Sequence, residues 1–299
     1  MRRELCIGID LGGSNLRFAL VDRQGRVLAR CTEPTLPAAG LASLLARLLA
    51  GVERLRQQGA GMGYRTVALA VGVPGLVCSD GVVRASVNVP VLEGVPLARE
   101  LSVATGMPVA ALNDANACAL GEKRYGAGRG YRSLIALTLG TGVGSGLILD
   151  GKLWTGVDGA AGEFGHIPVE PEGRPCGCGS RGCLEQYASA GAIARDGDDA
   201  AAVARRARRG DAVALAVFAE AGRYLGIAAA GVVNLLNLEA VLLCGGVAQS
   251  FDLLAPTLRR ELVSRTFPVS GGRVHVEQGA LGDDAGVLGA AVAAFGTVV

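Results

Sequence analysis

His166, Cys176, Cys178 and Cys183 stand in the spacing H-x9-C-x-C-x4-C, four soft or borderline metal ligands within eighteen residues, interleaved with Gly177, Gly179 and Gly182. Donors of these types on a loop that glycine allows to turn tightly suit a closed tetrahedral zinc site. A lone histidine reads as a satisfied core residue, and a C-x-C pair as a disulfide or redox couple. Neither accounts for the third cysteine and the histidine together. Glu163 precedes His166 by three residues and Glu185 follows Cys183 by two. A metal that fixes the loop also fixes both carboxylates, which suits hydrogen bonding to a polyhydroxylated ligand. Their alternative is plain surface acidity, the reading given to Glu170 and Glu172.

Two glycine-rich turns offer a second chemistry. Asp10-Leu11-Gly12-Gly13-Ser14-Asn15 and Gly140-Thr141-Gly142-Val143-Gly144-Ser145-Gly146 both follow strand-like runs. Glycine permits positive φ and removes bulk, so that backbone N–H groups converge on an anion, with Ser14 and Thr141 adding hydroxyls. Most such turns are only hairpins. Two at equivalent places, one preceded by a strand-end acid, favour phosphate binding. The sequence G-x-x-x-x-G-K-[ST] is absent and Lys123 and Lys152 are the only lysines, which excludes a P-loop. Asp10 suits Mg²⁺ held through water, or else simple turn capping. Between the turns, Asn113-Asp114 follows a buried strand and opens a helix, where ligands sit in α/β sheets. Capping explains Asp114 by itself. Phosphoryl transfer to a hydroxyl needs one carboxylate to orient and deprotonate the attacking oxygen, and Asp114 is the best-placed candidate.

These residues need a scaffold, and the composition supplies one. Of 299 residues, half are hydrophobic and 19% charged, the reverse of a disordered chain. Aromatics at 4% and a net charge of +2 give no argument for nucleic acid or membrane attraction. No signal peptide is expected at the start, and Tyr224 to Leu238 is too short and polar to span a bilayer. Cys6, Cys31, Cys78, Cys118 and Cys244 read as scattered thiols of a reducing, cytoplasmic setting.

Strand-like and helix-like patterns alternate, which predicts α/β architecture. Strands are expected at Leu5–Asp10, Phe18–Asp22, Thr66–Val71, Pro108–Leu112, from Leu134, at Glu239–Cys244 and around His275. Leu41, Leu44, Leu45, Leu48, Val52 and Leu55 recur at helical spacing, and Asp211–Asn237 and Asp284–Phe295 read as helices. A weak repeat at an offset of 128 residues aligns Leu11-Gly12 with Leu139-Gly140 and Asp22 with Asp150. Two related halves follow from it, facing each other across a cleft, with a boundary between Asn113 and Tyr131.

Taken together, these motifs resemble the ROK family (repressors, open reading frames and sugar kinases). The resemblance runs through Gly8-Ile9-Asp10-Leu11-Gly12-Gly13-Ser14-Asn15, Leu112-Asn113-Asp114-Ala115-Asn116-Ala117, Leu139-Gly140-Thr141-Gly142-Val143-Gly144, Gly162-Glu163-Phe164-Gly165-His166 and the cysteine loop through Glu185. It implies a two-domain actin-like, hexokinase-type ATPase fold with ribonuclease H-like halves and an interdomain cleft. The expected domains are 1–115 plus 286–299, and 116–285. The resemblance further implies Asp114 as catalytic base, and sugar contacts from Gly75, Asn88, Asn113, Asp114, Glu163, His166 and Glu185. Asp10, Gly12, Gly13, Ser14, Asn15, Gly140, Thr141, Gly142 and Gly144 would serve MgATP, with Gly245 and Gly246 beside the adenosine. His166 would give one ring nitrogen to zinc and the other to sugar.

Three departures stand out. Ser14 keeps a hydroxyl where the family usually has Thr. Asn15 replaces a frequent Lys, which bears on one phosphate contact. Val91-Leu92 replaces a small-residue and Trp pair near the sugar site. The implied activity is an ATP-dependent hexose kinase, glucokinase foremost, with allose, fructose, mannose or N-acetylated hexosamines as alternative acceptors. A sugar-sensing regulator is less favoured, because the first motif begins at Gly8 and leaves no room before it for a DNA-reading helix pair. A homodimer is expected from the resemblance and from the commonness of two-fold assemblies.

Overall fold

The computed structural model describes residues 4–298. In chain order the strands are β1 Glu4–Leu11, β2 Asn15–Val21, β3 Val27–Pro34, β4 Arg65–Val73, β5 Leu76–Val77, β6 Val83–Ala85, β7 Val109–Asn113, β8 Leu134–Leu139, β9 Val143–Leu149, β10 Lys152–Trp154, β11 Ala240–Cys244 and β12 His275–Gln278. The helices are α1 Leu41–Gly61, α2 Leu97–Thr105, α3 Asp114–Tyr125, α4 Glu185–Ala188, α5 Ala190–Ile193, α6 Ala200–Arg208, α7 Ala212–Leu236, α8 Phe251–Arg265, α9 Pro268–Gly271 and α10 Ala285–Gly296.

Two five-stranded sheets form, ordered β3-β2-β1-β4-β7 and β10-β9-β8-β11-β12. In the first, β1 runs antiparallel to β2 and parallel to β4, which runs parallel to β7. In the second, β8 runs antiparallel to β9 and parallel to β11, which runs parallel to β12. Order and sense are the same, so the faint repeat in the sequence is a repeat of whole sheets. Each glycine turn closes the equivalent hairpin, between Leu11 and Leu16 in one and Leu139 and Val143 in the other.

The described residues group into two compact units. The first takes residues through Arg129, then Leu153–Ala161 and everything from Asp283; the second takes Gly130–Lys152 and Gly162–Gly282. The first therefore runs past residue 115 and includes α3. The reason is backbone-to-backbone packing: a Cβ at Gly289 would lie 1.6 Å from the Ala117 carbonyl oxygen, and one at Gly121 would lie 2.4 Å from that of Ala285. Only glycine lets α3 and α10 come this close.

The apolar stripe of α1, Leu44, Leu48, Val52 and Leu55, is buried on the first sheet with Leu5, Ile7, Ile9 and Phe18. Each such side chain stabilises the fold by about 1.5–3 kcal/mol. In the second unit, Phe218, Leu225 and Val233 of α7 are buried with Leu254 and Leu258 of α8 and with Leu137, Leu139 and Leu243 of the sheet. The Asp211 carboxylate caps α7, accepting from the backbone N–H groups of Val213 and Ala214 at 2.9 and 3.2 Å. Asn237, at φ 54°, ends it. The expectation for Tyr224–Leu238 needs correcting for length, because the helix begins at Ala212. At 25 residues α7 is the one described helix long and apolar enough to cross a bilayer by length and composition, yet half of its most apolar stretch is buried within the protein.

Candidate active site

In the first unit the carboxyl ends of three adjacent strands carry the expected residues. Asp10 of β1 pairs with Gly72 of β4, and Val73 pairs with Asn113 of β7, so Asp10, the Val73-Pro74-Gly75 turn and Asn113-Asp114 form one row. The row is locked by hydrogen bonds. Asn113 caps α3, its Oδ1 accepting from the Asn116 N–H at 3.0 Å, while its Nδ2 donates to the Gly75 carbonyl at 3.0 Å. The capping explanation for Asp114 thus falls to its neighbour. Asp114 is the first helical residue instead, and its Oδ1 accepts from the Ala115 N–H at 2.8 Å. Gly75 has φ 143°, and a Cβ there would lie 2.1 Å from the Ala85 carbonyl oxygen, which holds the turn against β6.

The turn after β1 lies beside this row. Thr35 clamps it, donating its N–H to the Ser14 carbonyl at 2.9 Å and its hydroxyl to that of Gly12 at 2.6 Å. Gly13, Ser14 and Asn15 are left exposed, and Gly13 faces Asn88, whose Cβ is 3.6 Å from where a Gly13 Cβ would stand. Burial pushes the Asp10 carboxyl above its ordinary range, against the pull of Arg17 at 3.6 Å and with Asp283 adding to the rise. A desolvated carboxylate facing one loosely placed cation fits a site for a hydrated divalent ion.

The sign of this shift gives a prediction. An acid whose folded pKa is raised contributes its full stability below the unfolded carboxylate range and loses it as pH rises. Ionised Asp10 therefore opposes folding at neutral pH. Asp10→Asn is expected to melt at higher temperature than wild type at pH 7, with the gap closing toward pH 4. Melting curves at the two pH values check it.

In the second unit the turn after β8 leaves Thr141 exposed. Gly245, at φ 87°, packs where a Cβ would lie 2.6 Å from the Leu139 carbonyl oxygen, bringing the end of β11 to the same place. A cavity of about 290 Å³ opens there, lined by Gly140, Thr141, Gly246, Ala190, Phe218 and Ser250 among others. Phe218 and Ala190 supply apolar walls. Of the two reasons given for glycine, freedom of φ is not used at these turns, since Gly12, Gly13, Gly140, Gly142 and Gly144 are not among the glycines of positive φ. What glycine contributes in these turns is the absence of a side chain.

The cysteine loop also lies in the second unit. One ligand atom from each of His166, Cys176, Cys178 and Cys183 lies within 4.8 Å of all the others. The Cys176 Sγ is 3.7 Å from His166 Nδ1, and Cys178 Sγ is 3.6 Å from Cys183 Sγ. A tetrahedron with metal–sulfur bonds of about 2.3 Å has edges of about 3.8 Å, so the residues fit such a centre. The Ser180 backbone N–H holds the Cys178 thiol below its ordinary range, whereas burial and the adjacent sulfurs push Cys183 up to about 12, a cost that a bound cation reverses. Nδ1 faces the thiols, and Nε2 lies 3.9 Å from Glu163 Oε2. The loop is anchored by bridges Pro168–Cys183 and Pro175–Arg181. It rests on β9, where Ser145 donates its hydroxyl to the Gly162 carbonyl at 2.6 Å.

Some expectations change. Glu170 is half-buried and accepts from the Tyr224 hydroxyl at 3.3 Å, so it is not simple surface acidity. Leu92 is fully buried in the first core, so packing accounts for it. Ala190, Phe218 and Ser250 escaped the sequence reading because cavity walls of this kind carry no chemistry in their residue types.

Comparison with known proteins finds relatives matched over nearly the whole chain. A model of the ROK family matches residues 6–296. A glucokinase of Thermotoga maritima is 38% identical, with 95% of each chain covered. The solved structure of a ROK family glucokinase from Streptomyces griseus, in complex with glucose and AMPPNP, superposes with TM-score 0.82 at 34% identity, covering 98% of this chain and 99% of that one. A ROK family transcriptional regulator, homolog of the E. coli MLC protein, superposes with TM-score 0.87 at 30% identity, covering 97% of this chain but 77% of the regulator.

Proposed function

The chain belongs to the ROK family, and we propose that its site phosphorylates glucose, with Asp114 as the catalytic base. It is an ATP-dependent sugar kinase of the actin-like, hexokinase-type fold, as its full-length similarity to glucokinases supports. The observation that carries the assignment of Asp114 is the division of labour at the start of α3. Asn113 performs the capping and holds Gly75, so the adjacent carboxylate is not required for either.

In this reading Asp114 accepts the proton of the attacking sugar hydroxyl as its oxygen bonds the γ-phosphorus and ADP leaves. Gly12, Gly13, Ser14 and Asn15, with Gly140, Thr141, Gly142 and Gly144, present backbone and side-chain donors to the phosphates. Asp10 holds the hydrated Mg²⁺ of MgATP, which when bound offsets phosphate charge. Gly245 and Gly246 flank the adenosine, in the cavity backed by Phe218. Gly75, Asn88, Asn113, Glu163, His166 and Glu185 hold the sugar hydroxyls.

His166, Cys176, Cys178 and Cys183 hold a structural Zn²⁺, supported by their tetrahedral spacing. A cytoplasmic location is supported by the five cysteines outside the loop, Cys6, Cys31, Cys78, Cys118 and Cys244, which stand singly in the sequence. A homodimer belongs to the same reading and is checked by light scattering. The regulator neighbour supports sensing as the second reading, since its matched part has the same fold. The presence of Asp10, Asp114 and both glycine turns favours catalysis over it.

The test is ADP release from MgATP across glucose, allose, fructose, mannose and N-acetylated hexosamines. Glucose is expected to give the highest kcat/KM by at least about tenfold, a contact-level discrimination. A higher value for another sugar would reassign the acceptor.

A further inference from the structure

We infer that Glu185 is a positioning residue for the phosphate turn, through which the cysteine loop sets nucleotide affinity as well as sugar binding. The inference rests on the reading above that the turn at Gly140–Gly144 binds ATP phosphates. Glu185 is the first residue of α4, two positions beyond Cys183, and its Oε2 accepts from the Val143 backbone N–H at 3.0 Å. A Cβ at Gly142 would lie 2.4 Å from that oxygen. The carboxylate thus occupies the space where a side chain of the turn would stand, and Gly142 is glycine to admit it.

The other end of the turn is held from the same segment. The Ala190 N–H, at the start of α5, donates to the Gly140 carbonyl at 2.8 Å, and the Gly140 N–H donates to the Gly142 carbonyl at 3.0 Å. Gly165, next to His166, packs where a Cβ would lie 2.1 Å from the Val143 carbonyl oxygen. The two ends of the cysteine loop, Gly165 beside His166 and Glu185 to Ala190 beyond Cys183, therefore grip the turn at Val143 and at Gly140. Among the described residues Glu185 Oε1 has no hydrogen-bond partner, which leaves it for a sugar hydroxyl. A single carboxylate then bears on both substrates.

The two roles separate because a positioning bond is needed before any sugar arrives. Binding of the nonhydrolysable analogue AMPPNP with Mg²⁺ is measured by calorimetry on the zinc-loaded protein without sugar. Glu185→Ala is expected to weaken it about tenfold, the loss of one charge-assisted hydrogen bond. Glu185→Gln keeps an acceptor for the Val143 N–H and removes a negative charge from beside the phosphates, so it is expected to bind as tightly as wild type or more so. Gly142→Ala displaces the carboxylate from the other side and is expected to reproduce the loss.

Equal affinity for wild type and Glu185→Ala would overturn the inference and leave Glu185 as a sugar contact alone. Tighter binding by both Glu185 variants would also overturn it, showing charge repulsion without positioning. A wild-type protein that binds no AMPPNP would overturn the phosphate-turn reading beneath it, a failure distinguishable from the others.

Discussion

Replacing Asp114 by Asn is expected to give a folded protein that binds both substrates and phosphorylates sugar about 100- to 10,000-fold more slowly, the range that a positioned general base contributes. The geometry makes the variant informative. Asn retains an oxygen to accept from the Ala115 N–H, the bond that Asp114 Oδ1 makes at 2.8 Å. The cap of α3 is Asn113, which is untouched. Stability should therefore stay within about 0.5 kcal/mol of wild type, as for a substitution that removes no packing or cap. The sugar KM should move little, because a side-chain oxygen is still present to accept from the sugar. Loss of kcat with nearly constant KM marks an interaction made in the transition state. Wild-type turnover in Asp114→Asn would remove Asp114 as the base, whatever the sugar.

Cys178→Ser is expected to reduce zinc from one ion per chain to a small fraction of that and to weaken glucose binding by about 10- to 100-fold. Cys178 is the exposed member of the four, so the substitution removes a ligand without opening a cavity in the core. Its loss unpins the loop that carries Glu163, His166 and Glu185. It also leaves Cys183, whose thiol burial pushes up to about 12, without the cation that favours its thiolate. Melting temperature should fall as well, since a structural metal contributes its binding energy to the fold. Elemental analysis showing full zinc in the purified variant would sink the assigned ligand set.

The parts of the molecule legible in the sequence were those with a strong local reason. The stripe Leu44, Leu48, Val52, Leu55 announced α1, and the unbroken apolar runs announced β1, β4, β8 and β11. The cysteine loop was legible because its donors lie close in the sequence, and the four ligand atoms do come together. Elements set by tertiary packing were less visible. Helix α8 contains Pro256, which removes an intrahelical hydrogen bond and masks the pattern, yet Leu254, Leu258 and Leu262 are buried. Helix α6 is short and rich in arginine, and an Asp199 cap at 2.7 Å from the Ala202 N–H starts it.

At the candidate site, residue types singled out Asp10 and Asp114 but could not assign their partners. Whether Asp114 or Asn113 caps α3 depends on one residue of register at the helix start. Spacing alone does not fix that register. The glycines of the two turns were singled out both for freedom of φ and for absence of bulk, and the backbone shows only the second. They retain ordinary φ, and at Gly142 the freed space is taken by Glu185. Nothing in the local sequence joins residue 142 to residue 185; only the folded loop does so.

The central claim, phosphoryl transfer from MgATP to glucose, is tested most directly by following the phosphorus itself. Zinc-loaded protein is mixed with MgATP and glucose, and the products are identified by phosphorus NMR. The account predicts one ADP and one glucose phosphate ester for each ATP consumed, with no appreciable free phosphate, and with the ester absent on the same timescale in Asp114→Asn. Consumption of ATP to inorganic phosphate without an ester, or no consumption by protein shown to carry zinc and bind glucose, would contradict it.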